Sequence, residues 1–329
     1  SSDLITTNNR GFIMRKVLLA TTAIASTFAV ASAHAEVSIS GGAAMHYSST
    51  SDDLTRTASS DETLGLTDNT VTISFSSVTD SGLSLAYSAN SANTTSQNAS
   101  ISGDFGSLAL STTAHAAESF DVTSPTMVGG HGDLIIAPES AAATDVTQVR
   151  WNEADTSGLT GNNIAYYSPS INGFSFGVGI GGIDTTDDVT SFGAKYTTEM
   201  GGMSATVGVA SAEGAANISY DHVGAQLSTG AITIGIGSST EEASTTDKEE
   251  TTSYGVSYAV NDQLTVNAGH VNSENTLASK ELDTTSFGVS YTIASGLVAH
   301  IANNSFEYKS SNATVNDGSI MNVIISMSF

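Results

Sequence analysis

The sequence predicts an all-β fold: a transmembrane antiparallel β-barrel of about sixteen strands, with a long third loop folded inward. Three observations carry this. The chain ends on a strand with one apolar face, Met321, Val323, Ile325, Met327 and Phe329, set against Asn322, Ile324, Ser326 and Ser328. An apolar outer face and interfacial aromatic residues are what a membrane barrel needs where its last strand pairs with its first. Apolar and small polar residues then alternate with period two along most of the chain. Finally, tight turns alternate with longer polar connections, as in barrels with short turns at one rim and loops at the other.

The elements follow in chain order. Met14-Arg15-Lys16, the apolar run Val17 to Val30 and Ala33-His34-Ala35 read as a basic n-region, an h-region and an A-x-A cleavage site. Residues 14–35 are therefore expected to be a secretory signal peptide, too short for a membrane anchor. Residues 1–13 precede that start and read as an upstream segment outside the protein. The barrel is expected over 36–329. Its first strand sets Val37, Ile39, Gly41, Ala43, Met45 and Tyr47 against Ser38, Ser40, Gly42, Ala44 and His46. The pattern recurs at Val71-Ile73-Phe75, Leu83-Leu85-Tyr87, Phe174-Phe176-Val178-Ile180, Phe192-Ala194-Tyr196, Ala205-Val207-Val209, Ile232-Ile234-Ile236, Tyr254-Val256-Tyr258, Leu264-Val266-Ala268 and Phe287-Val289-Tyr291-Ile293. Tyr47, Tyr87, Tyr166, Tyr196, Tyr220, Tyr258, Tyr291 and Phe329 lie towards strand ends, where an interfacial girdle belongs. Alternation alone also suits a soluble sandwich. The strands hold few of the charges that keep soluble edges apart, which separates the two cases.

Turns are expected at 79–82, 103–106, 169–173, 199–202, 228–230, 260–263 and 294–296, all rich in Gly, Asn, Asp or Ser. Loops are expected at 49–68, 90–95, 114–161, 183–188, 211–215, 238–250, 272–283 and 309–318. Seven turns and eight loops make sixteen strands. The signals are weakest at about 97–102 and 162–168, so fourteen or eighteen strands stay open.

Composition excludes several classes. There is no Cys, hence no disulfide framework or thiolate metal site. Beyond Ala35 no apolar run is long enough for a membrane helix. Residues 1–35 hold Arg10, Arg15, Lys16 and Asp3, so the remaining chain carries six Lys and Arg against 32 Asp and Glu, a net charge of −26. Such a chain is no nucleic-acid binder, since phosphates demand Lys and Arg. No nucleophile-elbow context, metalloprotease motif or phosphate-cradling Gly-rich loop appears, so no enzyme is expected and no catalytic residue is assigned.

The expected lumen follows from strand number. Sixteen strands leave an aqueous channel, and inward positions rich in Gly, Ser, Thr, Ala and Asn could not fill it. The segment 114–161 is far longer than any other connection and holds Pro125 and Pro138, His115 and His131, and Arg150 beside Trp151. A loop of that length needs a job. It is expected to fold into the lumen and place Glu118, Asp121, Asp133, Glu139 and Asp145 at a constriction; a solvated external loop is the bland alternative. Parity puts His46 and Lys195 on the inner wall, and His300 joins them if Leu297, Ala299 and Ile301 face lipid.

At this point the chain resembles the alphaproteobacterial general-diffusion porins. The resemblance spans Glu36 to Phe329 in outline and rests on the order of short pieces: Val37-Ser38-Ile39-Ser40-Gly41, Gly103-Asp104-Phe105-Gly106, Ser168-Pro169-Ser170-Ile171-Asn172-Gly173-Phe174-Ser175-Phe176-Gly177, Ser286-Phe287-Gly288-Val289-Ser290-Tyr291 and Phe329. It implies a sixteen-strand barrel, a homotrimer, and a third loop whose acids face a basic wall. Ala137-Pro138-Glu139-Ser140 is similar to the Pro-Glu element of such loops, which is why Glu139 joins the candidates. It also implies an outer-membrane location, with membrane lipid and lipopolysaccharide outside and small hydrophilic solutes and ions within.

The departure from that pattern concerns the basic wall. Only Arg56, Arg150, Lys195, Lys248, Lys280 and Lys309 are available, most of them in expected loops. An acidic constriction without strong basic opposition would prefer cations, since charge rings set selectivity. The expected function is therefore passive diffusion of small hydrophilic solutes and ions with a cation preference. A substrate-selective channel and a non-conducting surface adhesin or structural barrel are the alternatives. No cofactor is expected. The acidic pairs Asp52-Asp53, Asp61-Glu62, Asp187-Asp188, Glu241-Glu242 and Glu249-Glu250 fall in expected loops. Asp52, Asp53, Asp187 and Asp188 could offer oxygens to Ca²⁺, but no EF-hand spacing is present and a solvated acidic surface is the preferred reading.

Overall fold

The computed structural model describes residues 35–52, 62–90, 96–112, 115–125, 162–182, 188–215, 218–244, 247–311 and 313–329. Residues 1–34, where the upstream segment and most of the signal peptide are expected, lie outside them, as do Asp53, Asp133, Glu139, Asp145 and Asp187.

Sixteen strands run in chain order: β1 (Glu36–Asp52), β2 (Glu62–Val78), β3 (Ser84–Asn90), β4 (Gln97–Gly103), β5 (Gly106–Ser111), β6 (Asn163–Tyr167), β7 (Phe174–Gly181), β8 (Val189–Met200), β9 (Met203–Glu213), β10 (Ser219–Thr229), β11 (Ile232–Ser244), β12 (Asp247–Ala259), β13 (Leu264–Asn275), β14 (Lys280–Ala294), β15 (Leu297–Ser310) and β16 (Ala313–Ser328). Each pairs antiparallel with its neighbours in sequence, and β1 closes on β16 from Gly42 opposite Ser328 to Asp52 opposite Gly318. Closure satisfies every strand edge, a requirement in hydrocarbon. The two weakest sequence signals are real strands, β4 and β6.

Strand periodicity sorts the side chains. The outer face carries Val178, Ile180, Phe192, Val207, Val223, Ile234, Phe287 and Ile301, all exposed. In water such a surface would drive association; in lipid it is the required face. Tyr166, Tyr196, Tyr258 and Tyr291 lie on that face near the tight turns, and the Tyr166 hydroxyl donates to the Phe105 carbonyl at 2.7 Å. Phe329 stays three-quarters exposed, its backbone paired with Gly41 on the far side of the seam (N–O 2.9 and 3.0 Å). Its ring occupies the space where a side chain at Gly41 would stand.

The turns match their chemistry. At the β12–β13 turn Asn261 Oδ1 accepts the N–H groups of Gln263 and Leu264, both at 2.9 Å, the local hydrogen bonding that makes Asn a turn residue. Gly106 opens β5 at φ +105°, where any Cβ would run into the Tyr167 carbonyl.

Five expected loops are corrected: within 49–68, β1 runs on to Asp52 and β2 begins at Glu62, and within 211–215, β9 runs to Glu213. Most of 238–250, 272–283 and 309–318 is strand: β11 and β12 are linked across residues 245–246, β13 and β14 across 276–279, and β15 and β16 across 311–312. Polar composition suggested loops there, but the strands simply continue past the apolar zone as hairpins with a polar outer face and a buried inner one. Glu241-Glu242 and Glu249-Glu250 therefore sit on β11 and β12, and Lys248, Lys280 and Lys309 on β12, β14 and β15, not in loops.

Candidate functional site on the inner wall

Residues 115–125 leave β5 and run across the inner wall of β7–β12. A one-turn 3₁₀ helix, Ala117–Phe120, starts the run, and His115, Ala116, Ala117, Phe120 and Val122 are buried. Successive strands anchor it. The Ser191 hydroxyl of β8 accepts the Ala116 N–H at 3.0 Å. The Lys195 ammonium, also on β8, donates to the Ser119 carbonyl at 3.2 Å and lies 5.8 Å from the centre of the Phe120 ring. From β10, His222 Nε2 accepts the Val122 N–H at 3.2 Å and Gln226 donates to the Thr123 carbonyl at 2.5 Å. On β12 the Ser253 hydroxyl meets that of Ser124 at 2.6 Å.

The wall beneath is stripped of side chains to let the segment lie flat. A Cβ at Gly177 or Gly193 would strike the Phe120 ring; at Gly208, the Phe120 carbonyl; at Gly224, the Val122 carbonyl; at Gly235, Pro125 Cδ at 2.9 Å. These glycines come from five consecutive strands, β7 to β11. Gly177 pairs with Gly193 and Gly208 with Gly224 across the sheet. Glycine in a strand often marks such a close approach. Phe120 closes the track against Tyr167, with ring centres 6.2 Å apart.

The candidate constriction acids divide. Glu118, on the 3₁₀ turn, remains over a third exposed, 3.7 Å from His115 Nε2. Asp121 accepts a 2.7 Å hydrogen bond from the Tyr220 hydroxyl. Asp133, Glu139 and Asp145 lie outside the described residues. The candidate wall residues all face inward. Lys195 anchors the segment, His300 is buried with Nδ1 2.9 Å from the Ser290 hydroxyl, and His46 faces the flank of Gly65. The structure does not gather these three: His46 and His300 lie on β1 and β15, away from Lys195 on β8.

Tyr220 corrects the expected girdle. It stands near a strand end, but on the inward parity of β10, fully buried between His115 and His222, with ring centres 6.3 Å from each. Position along a strand decides nothing about face; parity does. Large residues also stand among the mostly small ones expected on the inner side. Leu282, Phe306, Tyr308 and Ile320 form a buried cluster on the inner side of β14–β16, and Glu241 and Glu249, opposite one another on β11 and β12, are buried there too. Ser273 donates to Glu249 at 2.5 Å.

Asp188 is exposed, Asp52 ends β1, and among the described residues no three His, Asp or Glu side chains gather as metal ligands. No Ca²⁺ site is derived from them. Sequence reasoning missed His222, Gln226, Ser191 and Ser253 as anchors. The legible signal was the glycines at one parity in neighbouring strands, which mark where something crosses the wall.

Residues 20–311 match the family model described as Gram-negative porin. The chain belongs to the Gram-negative porin family. Among solved structures, the porin is similar to outer-membrane expressed OmpT of Vibrio cholerae (TM-score 0.65, 13% identity, covering 91% of this chain and 99% of that one). It is also similar to the anion-selective porin from Comamonas acidovorans (0.59, 16%, 90% and 100%) and to a triple mutant of Rhodopseudomonas blastica porin (0.60, 16%, 89% and 100%). No curated protein matches it in sequence. At such identities the neighbours establish the fold; the family establishes an outer-membrane channel for diffusion.

Proposed function

We propose that this porin is a water-filled general-diffusion channel of the alphaproteobacterial kind, passing small hydrophilic solutes and ions with a preference for cations, and working as a homotrimer. The observation that carries the channel reading is the segment 115–125 bound to the inside of a closed sixteen-strand barrel. Sixteen strands enclose more space than wall side chains fill, and a loop held on the inner wall narrows that space.

The cation preference rests on charge. Beyond residue 35 the chain has 32 acids against six Lys and Arg. Glu118, Asp121, Glu241 and Glu249 lie on the inner side, together with Lys195 and Lys280. Lys195 is already engaged with the Ser119 carbonyl, and Lys248 and Lys309 pair with acids on the outer face, Lys248 with Glu242 and Glu250, Lys309 with Glu281 and Glu307. One neighbour in fold is an anion-selective porin, so the barrel does not dictate the sign; the lining does. The homotrimer is supported by the family resemblance, and one solved OmpT form of Vibrio cholerae is described as a trimer.

The test is the reversal potential of chain 36–329, refolded into a planar bilayer under a salt gradient. A cation-signed potential that fades in concentrated salt, with openings in threes, supports the proposal; screening predicts the fading, since the Debye length falls from about 8 Å at 0.15 M to about 3 Å at 1 M. An anion-signed potential overturns the charge reading. A folded barrel without current overturns the channel and leaves an adhesin or structural barrel.

A further inference from the structure

The seam where the barrel closes carries polar atoms that the fold leaves unpaired. Among the described residues, His46 Nδ1, Ser48 Oγ and Asn322 Oδ1 are buried and have no hydrogen-bond partner. Buried polar atoms are nearly always paired, because desolvation without a partner is costly. Three exceptions lie together here, and the register shows how. Ser48 on β1 faces Asn322 on β16, and His46 faces Ile324 one inward step away. Opposed side chains have Cβ atoms about 4.5–5.5 Å apart, and one inward step along a strand is about 7 Å. All three residues share the inward parity, and Ser48 and Asn322 are more than nine-tenths buried. Side-chain size leaves room beside them. At the level of His46, β2 contributes only Gly65, where a Cβ would stand 3.1 Å from the imidazole. At the level of Asn322, β15 contributes Ala302 and β14 Gly288. Larger residues bound this low row on either side, Ile324 with His300 and Ile320 with Asn304. Ile324 packs with Ala44 as a small buried apolar floor. A few convergent polar atoms over an apolar floor are the usual make-up of a small-molecule site.

The chemistry of the trio selects its ligand. A metal cation would find no carboxylate among the three; β1 reaches its first, Asp52, two inward steps past Ser48. An anion would find no Lys or Arg. A hydroxyl group suits all three: an amide oxygen accepts, a serine hydroxyl donates and accepts, and a ring nitrogen does one or the other. One hydroxyl can meet Ser48 and Asn322 together, but His46, a step further along β1, calls for a second. We propose that the seam is a binding seat for neutral polyhydroxylated solutes, sugars and sugar alcohols. Ser48 and Asn322 share one hydroxyl, His46 Nδ1 takes another, and the ligand's C–H face rests on Ile324. The inference rests on the channel reading above and names the solute class that the channel favours. The wall beside the seat continues in buried neutral groups, Asn304, Ser286 and Thr284, rather than in charges. A seat built to hydrogen-bond hydroxyls discriminates against solutes that lack them.

The experiment records ion current through refolded 36–329 in a planar bilayer while glucose or sorbitol is added, with a polyethylene glycol of similar size as the volume control. Wild type is expected to show a saturable fall in current with glucose and sorbitol, and only a linear fall with the polymer. Asn322→Leu and Ser48→Ala should each raise the half-saturating concentration about three- to tenfold, the worth of one neutral hydrogen bond. Urea unfolding supplies a second readout. Removing a polar group that has no partner in the fold breaks no bond, so without sugar both variants should unfold at the wild-type urea concentration or above it. With glucose present, wild type should gain more stability than either variant, since a ligand of the folded state stabilises it by mass action. A variant that unfolds well before wild type, or fails to refold, shows its group to be already satisfied within the fold and overturns the seat. Glucose effects equal to those of the polymer, or saturation unchanged in both variants, overturn it too and leave the channel reading intact. No current with any solute removes the channel reading itself.

Discussion

The two sides of the barrel are built differently. Strands β3–β7 are five to eight residues long, whereas β11–β16 run twelve to sixteen. The short side is apolar along its outer face, with Leu85, Ile101, Leu108, Leu110, Val178 and Ile180. The tall side repeats that apolar zone with Ile234, Val256, Phe287 and Ile301, then extends beyond it into a charged rim. There Lys248 lies 3.7 and 3.4 Å from Glu242 and Glu250, Lys309 lies 3.3 and 3.7 Å from Glu281 and Glu307, and His270 lies 3.5 Å from Asp283. Inside, the glycines of β7–β11 receive the loop segment, while β14–β16 present Leu282, Phe306, Tyr308 and Ile320 as a packed cluster. A barrel wall therefore has three solvents, and each part of its sequence answers to one of them: lipid outside, water at the rim, and protein wherever the interior is occupied.

The comparison can be broken at four points. The largest effect is expected from truncating the packed interior of the tall side. Leu282→Ala removes a fully buried side chain from its cluster and should lower unfolding free energy by about 2–5 kcal/mol, read from urea titrations in detergent or lipid. The outward Leu110→Ala on the short side should cost well under half of that, because lipid refills the space. Equal losses would mean that the two faces are not in different solvents.

Next in size is a charge on the outer face. Val178→Lys, set between the outward Tyr166 and Phe192, should cost about 2–4 kcal/mol if it lies near the bilayer midplane. Asn272→Lys, outward on the polar extension of β13, should cost about 0–1 kcal/mol, the range for positions near the interface. A third test overfills the glycine track. Gly193→Ala places a methyl in the Phe120 ring, an overpacking worth about 1–3 kcal/mol. The segment is expected to shift towards the axis and lower single-channel conductance; unchanged conductance would sink the idea that this segment sets the narrowing. The smallest effect concerns the rim pairs. Lys309→Met should change stability by about 0–1 kcal/mol at low salt and by nothing measurable in concentrated salt, as exposed pairs do.

How much was legible in the sequence depends on which solvent a residue meets. Where lipid meets one face and water the other, hydrophobicity alternates sharply, and strands such as β1, β7 and β14 could be read residue by residue. In the upper parts of β11–β16 the outer face is polar, and the buried inner face mixes polar residues such as Glu241, Glu249 and Asn275 with Leu282 and Tyr308, so the apolar–polar alternation is lost and strand resembles loop; Glu241 and Lys309 fall in expected loops for that reason. Tyr220 was misread because its polarity suited both an interface and an interior. Lys195, His46 and His300 were placed inward by parity alone, and the structure puts them on that face. The acids Glu118 and Asp121 were picked out by composition; what they touch was not.

From its sequence alone this chain determined the fold class, a strand count near sixteen, the inward and outward sets of most strands, and the excess of acid. These follow from local periodicity and from sums over the chain, which need no knowledge of distant partners. The tertiary structure decided where the segment 115–125 lies, which glycines it rests on, and that a histidine more than ninety positions downstream accepts its Val122 N–H. That information is absent from local pattern because it depends on register: which residues of β7–β12 come level with one another fixes the track, and one step of slip would have turned every one of those side chains to the other face.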